Sequence, residues 1–179
     1  SGLLDPEFMS KFGVVSLDWS NAKALWANQS PMASDKLMVE QAQDIRRLNN
    51  DTRVWVYRNL VKALPWFSAV RQKLADPAYS GWFLQFDPTV EPHMPPCDHD
   101  YSPPRCSKLY HDQLETPQHS APPPPSWPPA SQCNRPCDCG EGVPCGEYLF
   151  DHRNASLRKW LVDEYIGGSE GIGNPDVSG

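Results

Sequence analysis

A chain of 179 residues is long enough for one domain with a real core, and its formal charge of −6, with no Lys/Arg run interleaved with aromatics, argues against a nucleic-acid partner. No stretch approaches the ~18–20 uninterrupted apolar residues of a membrane span, so none is expected. The seven Trp lie mostly in apolar segments, whereas the 20 Pro crowd one central stretch.

Residues 1–8 read as translated vector cloning sites ahead of a natural start at Met9, and they are set aside, Asp5 and Glu7 with them. From Phe12 the apolar, β-branched run predicts a buried parallel strand that delivers Asp18 at its carboxyl end, followed by Trp19. After Pro31, Ser34 or Asp35 is placed to cap a helix. Its apolar residues Leu37, Met38, Ala42, Ile45 and Leu48 recur at three- and four-residue steps, and it ends near Asn49–Asn50. Residues 53–59 read as a second strand with Arg58 and Asn59 at its exit. Pro65 precedes a helix with Trp66, Phe67, Val70 and Leu74 on one face, stopping before Asp76–Pro77. The run 82–86 is a short strand or loop anchor.

Composition then changes. Residues 9–86 carry the first βα units, residues 87–146 form a Cys/Pro-rich insertion, and residues 147–179 supply a third βα unit. In that last unit the strand 147–151 ends at Asp151, followed by His152, Arg153 and a helix bearing Leu157, Trp160, Leu161 and Tyr165, closed by Gly167–Gly168. The tail from Gly171 reads as a turn into a further strand, so the chain reads as truncated.

All six cysteines, Cys97, Cys106, Cys133, Cys137, Cys139 and Cys145, fall in the insertion, which fits disulfides that staple a loop unable to build its own core. A zinc site is the rival, from Cys133, Cys137, Cys139 and Cys145 or from His93, Cys97, His99 and Cys106. Neither set has the paired C-x2-C form, so no metal is assigned, and no cofactor. Sequons at Asn28, Asn50 and Asn154 join the cysteines in pointing to a secreted or cell-surface glycoprotein, with a helix N-cap as the other role for Asn154. A stiff spacer, rather than a polyproline-binding ligand, is the simpler account of Pro122–Pro129.

Successive βα units imply an α/β fold with a parallel sheet, and in such folds ligands bind where strand carboxyl ends meet on one rim. No Gly-rich phosphate loop and no G-x-S-x-G elbow is present. The segments VVSLDWSNAK, VWVYRNLVKALPWF, GWFLQF, CDCGEGVPCGEYLFDHRNASLRKWLVDEYI and GNPDVSG resemble a group of secreted algal and protist proteins that look like glycoside-hydrolase-type (β/α) barrels. The resemblance covers nearly all of 11–179. It implies the N-terminal part of a TIM-barrel-like fold, and a further strand past the last segment ending in paired Asp residues.

Glycoside hydrolysis uses two carboxyl groups facing across the scissile bond, one of them raised in pKa. The rim offers Asp18 and Asp151 as candidate catalytic residues, with Trp19, Arg58, Asn59, His152 and Arg153 as candidate substrate contacts. Ion pairing or helix capping competes for both acids. Trp55, Trp66, Trp82 and Trp160 are assigned to the core, and Glu40, Glu164, His111 and Asp112 to solvent. Two functions compete: a fragment of an extracellular carbohydrate-active protein, itself inactive in hydrolysis, or a non-catalytic interaction protein working through the insertion. The open edges of so few βα units favour a homodimer, or cover by the insertion.

Overall fold

The computed structural model describes residues 2–85, 109–112, 139–168 and 172–177. Alternation decides the first pairing. In β1 (Val14–Asp18), Val15 and Leu17 are buried while Val14, Ser16 and Asp18 face out, and β2 (Arg53–Tyr57) lies parallel to it in register Val14↔Arg53 through Asp18↔Tyr57. The crossover between them is α3 (Ser34–Leu48), preceded by the short helices α1 (Pro6–Met9) and α2 (Lys23–Trp26). Met38, Ala42 and Ile45 on the inner stripe of α3 are fully buried, each of the two larger ones contributing about 1.5–3 kcal/mol by leaving water. Leu48, expected on that stripe, is exposed in the last turn. Glu40 and Glu164 are exposed, as anticipated.

The cap of α3 differs from expectation. Ala33 is its N-cap residue, without a side-chain bond, and Asp35 serves another helix: its Oδ2 accepts Ser68 Oγ at 2.7 Å and Ala69 N at 3.3 Å, closing the start of α4 (Ser68–Ala75). Trp66 and Phe67 precede α4 and are buried beneath it. Residues set aside as vector-derived also take part. Asp5 caps α1 through Glu7 N and Phe8 N, α1 packs on α3, and Leu4 N donates to Gln41 Oε1 at 3.0 Å.

The expected barrel is not found among the described residues; the parallel sheet there has two strands. The third strand lies where the sequence puts it but runs the other way. Here β5 (Glu147–Leu149) pairs antiparallel with β3 (Lys62–Ala63) and with β4 (His111–Asp112), in a second sheet ordered β3-β5-β4. The cause is local. Asn59 Oδ1 accepts Val61 N at 2.8 Å and Lys62 N at 3.3 Å, turning the chain out of β2 into β3, which then pairs with β5. The pairing is fixed on the surface by Lys62 Nζ, 2.5 Å from Glu147 Oε2. Residues 111–112, assigned to a solvated loop, belong to this ladder. The run from Trp82 is a loop anchor: a 3₁₀ helix over Pro77–Trp82, then bridges Phe83↔Phe150 and Gln85↔Leu109.

One disulfide is placed, Cys139–Cys145, with an S–S distance of 2.02 Å; Cys97, Cys106, Cys133 and Cys137 lie outside the described residues, as does Pro122–Pro129. The ring it closes sits on Met32, whose Sδ lies 3.5 Å from Cys139 Sγ and whose N–H donates to the Cys139 carbonyl at 2.9 Å. Gly140, at φ +119°, passes so close to Pro31 that a Cβ there would fall 2.4 Å from the proline Cβ. Past β5, α5 (Ala155–Trp160) runs into a π-helical segment, Leu161–Ile166. Leu157, Trp160, Leu161 and Tyr165 are all buried, as the spacing predicted. No helix among the described residues is long and apolar enough to cross a membrane.

Candidate functional site

The parallel pair β1–β2 brings Asp18 and Tyr57 side by side at its carboxyl end. Asp18 is exposed and bonds within its own turn, Oδ1 accepting Ser20 N at 2.8 Å and Ser20 Oγ at 2.5 Å. That turn throws Trp19 back over the core. Its ring stacks on Trp66 at 5.8 Å, Trp66 stacks on Trp26 at 5.9 Å, and Trp26 Nε1 donates to the Asn21 carbonyl at 2.9 Å. Trp19 is half-buried at the rim of this stack, with the Lys23 ammonium 6.0 Å from its ring centroid.

Arg58 turns inward. Alternation along β2 buries it together with Val54, and its guanidinium lies 4.2 Å from the Phe67 ring centroid. Nε donates to the Tyr165 hydroxyl at 3.0 Å, while Nη1 donates to the carbonyls of Asn59 and Lys62. The residue ties the turn after β2 to the last helix, and burial pushes the Tyr165 phenol up in pKa although Arg58 pulls it down. Asn59 is committed to the turn described above.

The residues after β5 are laced to the same turn. Phe150 N donates to the Val61 carbonyl at 3.0 Å, and His152 Nε2, 2.8 Å from the Leu60 carbonyl, carries the proton of that bond. Asp151 is gripped by Arg153, Nε to Oδ1 and Nη2 to Oδ2, each at 2.8 Å, and also accepts Arg153 N at 3.0 Å. The Arg153 hydrogen bond, assisted by its charge and opposed by partial desolvation, holds the Asp151 carboxyl at about 2. Asp151 is therefore ionised near neutrality, which suits a base or nucleophile and not a general acid. Among the described residues no hydrogen bond or ion pair joins Asp18 to Asp151, His152 or Arg153.

The other roles resolve similarly. Asn154 caps α5, accepting Ser156 N at 3.0 Å and Leu157 N at 3.3 Å, and its Nδ2 donates to the Gly81 carbonyl at 2.9 Å. Trp66, Trp82 and Trp160 are core residues. Trp55, assigned to the core, is 45% exposed, and Tyr57 on the same face is 57% exposed. Residues 53, 55 and 57 all face out, opposite Val14, Ser16 and Asp18, so one surface carries an aromatic row beside a hydroxyl and a carboxylate. The signal was present in the sequence, because strict alternation that buries Val54 must expose Trp55. No group of three or more His, Cys, Asp or Glu able to hold a metal occurs among the described residues. The chain matches no protein-family model, no curated protein and no solved structure.

Proposed function

We propose that this chain is an extracellular domain that binds carbohydrate without hydrolysing it, on the outward face of β1–β2. The observation that carries the reading is the pair Trp55 and Tyr57, exposed on one strand face and set directly opposite Ser16 and Asp18. Sugar rings present C–H faces that stack on aromatic rings and hydroxyls that pair with carboxylates and side-chain oxygens, so an aromatic row flanked by a polar row suits them. Residues two apart on one strand face stand about 6.5–7 Å from each other, a span over which neighbouring rings of one glycan can lie. The resemblance to secreted glycoside-hydrolase-type barrels agrees with a carbohydrate ligand, and the Cys139–Cys145 disulfide agrees with an oxidising compartment. Hydrolysis is not part of the proposal, because Asp18 and Asp151 are bound into separate turns. The rival reading, an interaction protein working through the Cys/Pro-rich insertion, falls mostly on residues outside the described ones.

Affinity electrophoresis against a panel of soluble polysaccharides, followed by calorimetry on any that retard the protein, tests this. Trp55→Ala and Tyr57→Ala should each weaken binding about tenfold, Asp18→Asn should weaken it less, Asp151→Asn should leave it unchanged, and no reducing sugar should be released. Absence of binding across the panel, or binding indifferent to Trp55 and Tyr57, overturns it.

A further inference from the structure

We infer that Asn50 carries an N-linked glycan whose first sugar seats in the polar cavity beside it; the inference rests on the extracellular half of the reading above. Three sequons are present, and their amide nitrogens differ. Asn154 Nδ2 donates to the Gly81 carbonyl at 2.9 Å, and a Cβ on Gly81 would come within 3.7 Å of it, so the nitrogen faces backbone. Asn28 Nδ2 donates to the Ala24 carbonyl at 2.7 Å. Asn50 is exposed in the turn between α3 and β2, where only its oxygen is engaged, Oδ1 accepting Arg46 Nη2 at 2.9 Å; its nitrogen has no partner among the described residues.

Asn50 lines a cavity of about 360 Å³ together with Gln43, Arg46, Arg47 and Asp176. Every lining side chain is polar, the set of planar amide, guanidinium and carboxylate groups that pairs with sugar hydroxyls and an acetamido group. Arg46 bridges the two walls, donating from Nη1 to the Pro175 carbonyl at 2.6 Å while lying 3.8 Å from Asp176 Oδ1. Its Nε is buried and has no hydrogen-bond partner among the described residues. Thr52, the third residue of the sequon, is 1% exposed and donates its hydroxyl to the Phe12 carbonyl at 2.9 Å. Transfer therefore precedes docking of this segment on β1. In that step Asn50 Nδ2 attacks C1 of a lipid-diphosphate-linked oligosaccharide. The N–C1 bond forms, the C1–O bond to the diphosphate breaks, the amide loses one proton, and the lipid diphosphate departs.

The test is to secrete the full chain from a eukaryotic host and map glycopeptides before and after enzymatic deglycosylation, with Cys139 and Cys145 assayed for free thiol. Occupancy at Asn50 and loss of that glycopeptide in Asn50→Gln are the expected results. Trimming to the first sugar should leave Tm about 2–4 °C above that of Asn50→Gln, and Gln43→Ala with Asp176→Ala should abolish the difference. A secreted, disulfide-bonded protein with Asn50 unmodified overturns the inference alone. Free thiols at Cys139 and Cys145 overturn the extracellular reading and the inference with it, and an unchanged Tm gap in the double variant overturns the seat.

Discussion

The Arg153 guanidinium straddles the Asp151 carboxylate, one nitrogen to each oxygen at 2.8 Å, two residues along the same turn. A free carboxyl of this type titrates near 3.8, whereas this one is lowered to about 2. Because the folded value is the lower, the pair contributes stability above pH about 3.8 and that contribution is lost as pH falls through about 2. Acid unfolding of Asp151→Asn should be flatter across this window than that of the parent chain, and unchanged in slope above pH 5. Urea denaturation at closely spaced pH values gives the comparison, and a carbon-detected titration of Asp151 reads the midpoint directly.

Trp66 sits between Trp19 and Trp26 and is 2% exposed, so it joins the turn after β1 to the segment before α4. Replacement by Ala removes both stacking partners and opens a cavity that the surrounding rigid elements fill only in part. Trp66→Ala should cost about 3–5 kcal/mol and Trp66→Phe markedly less. Chemical denaturation measures the difference. Near-ultraviolet circular dichroism should lose part of its tryptophan signal in the Ala variant even under conditions where the fold survives, the remainder coming from rings such as the Trp82–Trp160 pair.

What the sequence made legible was whatever repeats. Strand alternation located β1 and β2, and steps of three and four residues located α3 and α5, because each buries one face over several turns or pleats. Two-residue strands such as Lys62–Ala63 carry no period, and without β3 nothing in residues 147–149 announces that they pair antiparallel. Asp35 was legible as a cap but not as the cap of α4, since Ser68 is 33 residues away. At the candidate site the strand exits were found, yet the side each residue faces required extending the alternation one step further. That step sends Arg58 inward to Tyr165 and leaves Trp55 and Tyr57 outside.

Closing the short ring between Cys139 and Cys145, a sequence separation of 6, restricts the unfolded chain by about 2 kcal/mol in the loop-entropy account. The ring also packs. Arg71, 1% exposed, donates to the carbonyls of Met32 and Pro65, and its Nε lies 3.7 Å from Glu141 within the ring. The double variant Cys139→Ala, Cys145→Ala should therefore lose at least about 2 kcal/mol in urea. Gly140→Ala, with the ring intact, should also destabilise, since its backbone is left-handed and Pro31 occupies the space. A double variant as stable as the parent would mean that Met32 and Arg71 hold the loop without the bond.

The outward face of β1–β2 makes a sharper demand on stability. Side chains that serve the core lose free energy when shortened, whereas residues that serve a ligand do not, and Trp55 is 45% and Tyr57 57% exposed. Trp55→Ser and Tyr57→Ser should each change unfolding free energy by no more than about 1 kcal/mol, allowing for strand propensity, while Val54→Ala, at 0% exposed on the opposite face of the same strand, should cost about 2 kcal/mol or more. The comparison uses one strand and one denaturant, so backbone effects cancel. A large loss from Trp55→Ser would mean that this ring is covered by other parts of the chain in solution, and the face would then be core and not a binding surface.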